Sequence, residues 1–320
     1  MSDATSAAHS VVRRVELAQQ AADAGDFYEP ETGTARKSAV DAAGSACCRS
    51  IARCALKLEP ISKDSLDLSD DNASVGDPPK TGKALERATE KHVKRISEAQ
   101  RVLYADGRYA LLIVLQGRDA SGKDGTIRKV FTAVNPQGCT VSSFKVPTEL
   151  EQRHDFLWRV HGQVPARGMI GIFNRSHYED VIVPRVRGWI TKKECSARYD
   201  QINDFEEMLS ENGTVILKFM LHISRDEQKR RLMERLTDET KNWKFRKGDL
   251  DDRAQWDDFT KAYEGALSHT STEPAPWYIV PADDNDVRDW LVARTIADTL
   301  EKLDLKYPPA DPSVLNLHFE

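Results

Sequence analysis

"LLIVLQGRDASGKDGT", residues 111 to 126, is the stretch that decides the fold. Leu111 to Leu115 form an unbroken aliphatic run, which suits a strand buried on both faces of a parallel sheet. The run stops at Gly117, and Gly122, Lys123 and Gly125 follow. A strand, a glycine-rich turn and a helix start in this order aim backbone N–H groups at one point, which makes an anion site. Gly117-x-x-x-x-Gly122-Lys123 matches the P-loop pattern up to its last position, where Asp124 replaces Ser or Thr. The N–H groups from Ser121 to Thr126 are candidates to face phosphate oxygens, and Lys123 adds a mobile positive charge.

Two carboxylates, Asp119 and Asp124, sit where phosphate would lie, and they would repel it unless a divalent cation came between. Mg²⁺ suits a few carboxylates with phosphate oxygens and water, and Mn²⁺ is the alternative ion. Asp119 is the candidate ligand, directly or through water. Asp124 falls in the first helical turn, where complementing the helix dipole is its other possible role. Thr126 is placed to supply the hydroxyl that the usual Ser or Thr would give.

Outward from this stretch, strand and helix patterns alternate. Strands are expected at "YALLIVLQ", "CTVSSF", "GMIGIF", "TVILKFMLHI" and "WYIVPA". Helices are expected over residues 83–104, 122–134, 148–164, 191–213, 224–236 and 285–303, the third opened by a Thr148/Glu151 capping box. Apolar strands separated by helices describe a five-stranded parallel sheet covered on both faces, with ligands off the carboxyl ends of the strands. Residues 1–84, rich in Ala, Ser and Asp, read as a partly flexible arm with a short helix at 10–22; residues 85–306 are the α/β domain, and 307–320 a tail.

Two further clusters carry chemistry. "GIFNRSHYEDVIVPRVRG" follows the third strand, where an enzyme with a P-loop usually places an acid to hold magnesium; here Asn174 stands there, followed by Arg175, His177, Tyr178, Glu179 and Asp180. Arg175 suits charge neutralisation on a transferring phosphoryl group, while His177 and Tyr178 are either site residues or packing. "SRDEQKRRLMERLTDETKNWKFRKGD" carries Arg230, Arg231 and Arg235 on a helix, a candidate lid over residues 225–250.

The bulk properties agree. A hydrophobic content of 40% supports a real core, and no apolar run approaches the roughly 20 residues that span a bilayer. The first residues lack the apolar stretch of a secretory signal and contain Asp3, Glu16 and Asp23, so the cytoplasm is the expected location and no membrane partner is expected. Five cysteines without paired CxxC units argue against disulfides and a zinc site. The net charge of −5 and the lack of a nucleic-acid-binding signature argue against nucleic acid as a partner. Residues 117–200 nonetheless hold 14 Lys and Arg against 9 Asp and Glu, the sign of a bound polyanion.

Together "GRDASGKDGT", "NPQGC", "SFKVPTELEQRHDFLWRVH", "GIFNRSHYEDV", "LHISRDEQKRRL", "NWKF" and "STEPAPWYIVPAD" resemble the polyphosphate kinase 2 family over residues 84–303. The resemblance implies a P-loop kinase of the thymidylate-kinase-like fold, with inorganic polyphosphate as donor, AMP, ADP and ATP as nucleotides, Mg²⁺ as cofactor and a homo-oligomer, dimer or tetramer. Asn174 with His177, Tyr178 and Glu179 resembles the branch that accepts AMP as well as ADP. The resemblance assigns catalysis to Asp119, Lys123, Asn174, Arg175, Glu179 and Arg231, and phosphate binding to Gly117, Arg118, Ser121, Gly122, Lys123, Asp124, Gly125, Thr126, Arg230 and Arg235. The acceptor nucleotide is expected at Lys145, His177, Tyr178 and Asp180, and the metal at Asp119, Asn174 and Glu179. An ATP-dependent nucleoside monophosphate kinase and a non-catalytic polyphosphate or nucleotide sensor are the alternatives.

Overall fold

The computed structural model describes residues 56–62 and 66–313; the helix expected at 10–22 and Cys47, Cys48 and Cys54 lie outside them. Its centre is strand β1 (Ala110–Gln116), buried along its whole length. The side chains of β1 alternate: Leu111, Ile113 and Leu115 join one apolar cluster, Leu112 and Val114 the other. A strand that serves two cores must be apolar at every position, which is why the run has no polar break before Gln116.

Strands β2 (Cys139–Ser143), β3 (Ile170–Asn174), β4 (Thr214–His222) and β5 (Trp277–Pro281) complete the sheet. All pairings are parallel, in the order β2-β3-β1-β4-β5. All five expected strands are present. The chain lays β2 and β3 on one side of β1 and β4 and β5 on the other, so the topology reverses at the carboxyl end of β1, where such sheets bind ligands.

One face is covered by α1 (Gly82–Asp106), α2 (Lys123–Val130) and α9 (Asn285–Lys302). The other carries α4 (Glu179–Val186), α5 (Lys192–Glu211) and α8 (Trp256–Thr270), with α3 (Trp158–His161) nearby. α6 (Arg225–Thr237) and α7 (Gly248–Ala254) follow β4 in the chain. α1 stops where Gly107 turns left-handed at φ 65°, and α5 starts on a full capping box at Thr191 and Glu194. Residues 56–62 run along the edge of the sheet, with the Ile61 N–H donating to the Trp277 carbonyl at 2.9 Å and Leu58 buried in the core.

The expectations fail at two places. Residues 148–164 are not one helix. The Thr148/Glu151 box forms, but it heads a single turn, Glu151–Arg153, because His154 is extended and the Asp155 carboxylate accepts from the Leu157 N–H at 3.0 Å. That local side-chain turn competes with the helix and wins. The expectations also omit α4, α7 and α8, although Trp256, Phe259, Tyr263, Ala266 and Thr270 of α8 have helical spacing and are buried. Among the described residues no helix is long and apolar enough to cross a membrane.

Candidate active site

The P-loop closes around two glycines that nothing else can replace. Gly117 has φ 153° and a Cβ there would lie 2.6 Å from the Leu221 carbonyl oxygen; Gly122 has φ 100° and its Cβ would meet Arg288 Nη1 at 2.0 Å. Ala120, between them, is held at φ 65°, a conformation that disfavours a side chain. Lys123 turns inward, and its Nζ donates to the carbonyls of Gly117 at 2.6 Å and Arg118 at 3.1 Å. Burial and the nearby Arg175 charge pull its ammonium down to about 8. Ser121 Oγ is buried without a partner, facing the inside of the loop.

At the end of β3 the backbone takes a left-handed step at Arg175, φ 63°. Its guanidinium reaches Asp119 at 2.5 Å and Glu179 at 3.2 Å, and Gln116 donates to the other Glu179 oxygen at 2.9 Å. Burial works against the Arg175 charge, but Glu179 and Asp119 hold it above the ordinary arginine range. Burial works against the Asp119 carboxylate too, and Arg175 and Lys123 keep it below its usual value. P-loop and β3 turn are thereby linked through charges.

Asp124, the departure from the P-loop pattern, has both oxygens engaged: the Asn174 amide donates at 2.8 Å and Lys244 at 3.1 Å. Among the described residues no group of three or more His, Cys, Asp or Glu is placed to hold a metal ion. The expected ligands Asp119, Asn174 and Glu179 therefore form no ready cage, since Asn174 faces Asp124 with its amide nitrogen and both Glu179 oxygens are taken. Two carboxylates at a phosphate loop do fit an ion that arrives with phosphate oxygens, as Mg²⁺ does.

Several expected ligand contacts are structural instead. His177 and Tyr178 are fully buried, so they cannot touch a nucleotide: Tyr178 donates to Glu206 at 2.9 Å, and His177 Nε2 lies 3.2 Å from the same carboxylate. Lys218 completes this network, reaching Glu206 at 2.5 Å, Tyr178 at 2.8 Å and the Thr270 carbonyl at 2.6 Å. Arg118 leaves the phosphate site, stacking 3.7 Å over Trp256 and donating to its carbonyl and to Thr260, which pins the loop to α8. Thr126 is buried and donates to Asp289 at 2.9 Å, so its hydroxyl is not offered to a metal. Arg231 binds Glu227 and the carbonyls of Ala120, Ala282 and Asp283, bracing the loop while it also lines the cavity beside it.

Arg288 and Asp289 stand against the P-loop, a placement that the sequence did not single out. Arg288 is buried against Gly122, donates to Asp289 at 2.8 Å and lies 3.4 Å from the Ser121 carbonyl. Two charges on the buried side of α9 were the available signal. Beside them opens a cavity of about 560 Å³ lined by Arg128, Lys129, Arg230, Arg235, Lys241 and Arg288, with Gly122 and Gly125 of the P-loop in its wall. Arg230 is also paired with Glu227, and Arg235 lies 3.6 Å from Asp249. Lys145 is exposed, and Asp180 is bound to Arg159 at 3.0 Å.

The family model described as Polyphosphate kinase 2 matches residues 80–308. An AMP/ADP-polyphosphate phosphotransferase of Meiothermus ruber is 55% identical over 215 residues, 67% of this chain and 80% of that protein. An ADP-polyphosphate phosphotransferase of Rhodopseudomonas palustris is 46% identical, over 69% of this chain and 81% of that one. The crystal structure of polyphosphate kinase 2 from Arthrobacter aurescens superposes with a TM-score of 0.73 at 43% identity, covering 80% of this chain and 90% of its own.

Proposed function

The chain belongs to the polyphosphate kinase 2 family, and we propose that its basic groove leads inorganic polyphosphate end-on to the P-loop while AMP or ADP attacks from the side of Arg175. It is a polyphosphate-dependent nucleotide kinase, making ADP from AMP and ATP from ADP. The groove carries the reading: seven cationic side chains, Arg231 among them, in one cavity that opens on Gly122 and Gly125 match a linear polyanion.

An oxygen of the acceptor's terminal phosphate attacks the terminal phosphorus of the chain. The P–O bond to the next phosphate breaks, and a polyphosphate one unit shorter leaves with the bridging oxygen's electron pair. Such a transfer needs positioning and charge neutralisation rather than a covalent intermediate. Arg175 is positioned to neutralise the transferred group once phosphate replaces Asp119 on its guanidinium, and Glu179 keeps it aimed. Lys123, freed from the Gly117 carbonyl, covers the donor phosphates. Asp119 and Asp124, once phosphate has drawn off Arg175 and Lys244, would hold a divalent ion, Mg²⁺ or alternatively Mn²⁺, which would supply further charge neutralisation. Asn174 leaves this mouth one charge less negative than an Asp would, which changes where a divalent ion would sit; the reading that AMP is accepted leans on the likeness to the AMP/ADP-polyphosphate phosphotransferase.

The test is incubation with polyphosphate, Mg²⁺ and AMP or ADP, with nucleotides separated by chromatography. New ADP and ATP support the reading. Turnover with ATP as the only effective donor, or binding without turnover, refutes it.

A further inference from the structure

The cations expected to meet phosphate are engaged elsewhere in this structure: Lys123 on carbonyls, Arg175 between Asp119 and Glu179, Arg231 on the loop backbone. Lys244 is different. It belongs to the turn Asn242–Lys244 between α6 and α7, a turn braced by its own contacts, including Trp243 Nε1 to the Thr240 carbonyl at 2.9 Å. Its ammonium reaches 3.1 Å from Asp124, the residue directly after Lys123 in the first turn of α2. It thus stands at the mouth formed by the N–H groups expected to hold phosphate.

The pair is poised to exchange. Its side chains are 34% and 65% exposed, and so exposed an ion pair is weak and yields readily to a stronger one. A phosphate chain with its divalent ion offers both members a better partner: the carboxylate gains a double charge, and the ammonium gains phosphate oxygens. The lysine arm is flexible enough to change partner without moving its turn. We propose that Lys244 is a phosphate-contacting residue of the transfer reaction, held on Asp124 until phosphate and metal take over. This rests on the P-loop mouth receiving the polyphosphate end.

The experiment compares wild type, Lys244→Ala, Lys244→Arg, Asp124→Asn and the Asp124→Asn/Lys244→Ala pair. Polyphosphate affinity is measured by calorimetry, and kcat and KM are measured with ADP and Mg²⁺. Lys244→Ala should weaken polyphosphate binding and kcat/KM by about 10- to 100-fold, the range of one hydrogen bond to a charged group, and Lys244→Arg should recover most of it. The decisive comparison is binding in the Asp124→Asn background. A phosphate contact keeps its loss there, whereas a lysine that serves only Asp124 has nothing left to lose. Equal polyphosphate affinity of Asp124→Asn with and without Lys244, or a Lys244→Ala change below two-fold, overturns the proposal. Wild type that neither binds nor uses polyphosphate refutes instead the reading beneath it.

Discussion

Replacing Glu206 by Leu should cost this protein more than any change at its surface. Glu206 on α5 and Lys218 on β4 are 1% and 0% exposed, and they meet at 2.5 Å below the turn that carries Arg175. Removing the carboxylate leaves the Lys218 ammonium in the core with only the Tyr178 hydroxyl and the Thr270 carbonyl. Breaking a buried pair from one side costs about 3–5 kcal/mol, because the remaining charge is uncompensated. For a domain of this size that lowers Tm by roughly 6–20 °C. The double variant Glu206→Leu/Lys218→Met removes both charges. It should regain more than half of the loss, keeping a residual of about 1–3 kcal/mol because Tyr178 and His177 lose their acceptor. The assay is urea unfolding of the four corners of this cycle at neutral pH. The wild-type pair should also weaken on acidification. Burial pushes the Glu206 carboxyl up, but Lys218 and His177 bring it below its ordinary 4.5. A depressed carboxyl stabilises above its unfolded value and loses that contribution as pH falls through the folded one, so the wild type should lose stability below about pH 4.5 and the double variant less. A Glu206→Leu cost under about 1 kcal/mol, or a double variant no better than the single, would show that the pair is not an isolated buried charge pair.

Lys123 titrates at about 8, so kcat/KM should fall above that pH as the ammonium is lost, and Lys123→Ala should lower turnover by about 10²- to 10³-fold in a folded protein; a flat alkaline profile refutes the first and wild-type turnover the second. Glu179→Ala, which frees one side of Arg175, should reduce kcat/KM for AMP more than for ADP, and equal losses would sever the residue from acceptor choice. Deleting residues 1–50 should leave turnover per site within a few-fold. Deleting through residue 80 also strips buried Leu58 and Leu68, worth about 1.5–3 kcal/mol each, and thermal unfolding should drop accordingly; unchanged Tm in the longer deletion contradicts their packing.

What the sequence determined by itself is whatever depends on near neighbours. Leu111 to Leu115 declare a doubly covered strand because each residue's face follows from its parity, and Gly117 and Gly122 declare a phosphate loop because backbone torsions are local properties. The order of apolar runs then fixes a parallel sheet with the site off β1. Tertiary structure decided the use of each polar side chain. Thr126 meets Asp289 across 163 positions, Arg118 meets Thr260 across 142, and Lys244 meets Asp124 across 120. His177 and Tyr178 read as well for a ligand as for a core until Glu206 and Lys218 come beneath them. A polar group binds whichever partner the packed chain brings within about 3 Å, and spacing along the sequence holds no record of that distance.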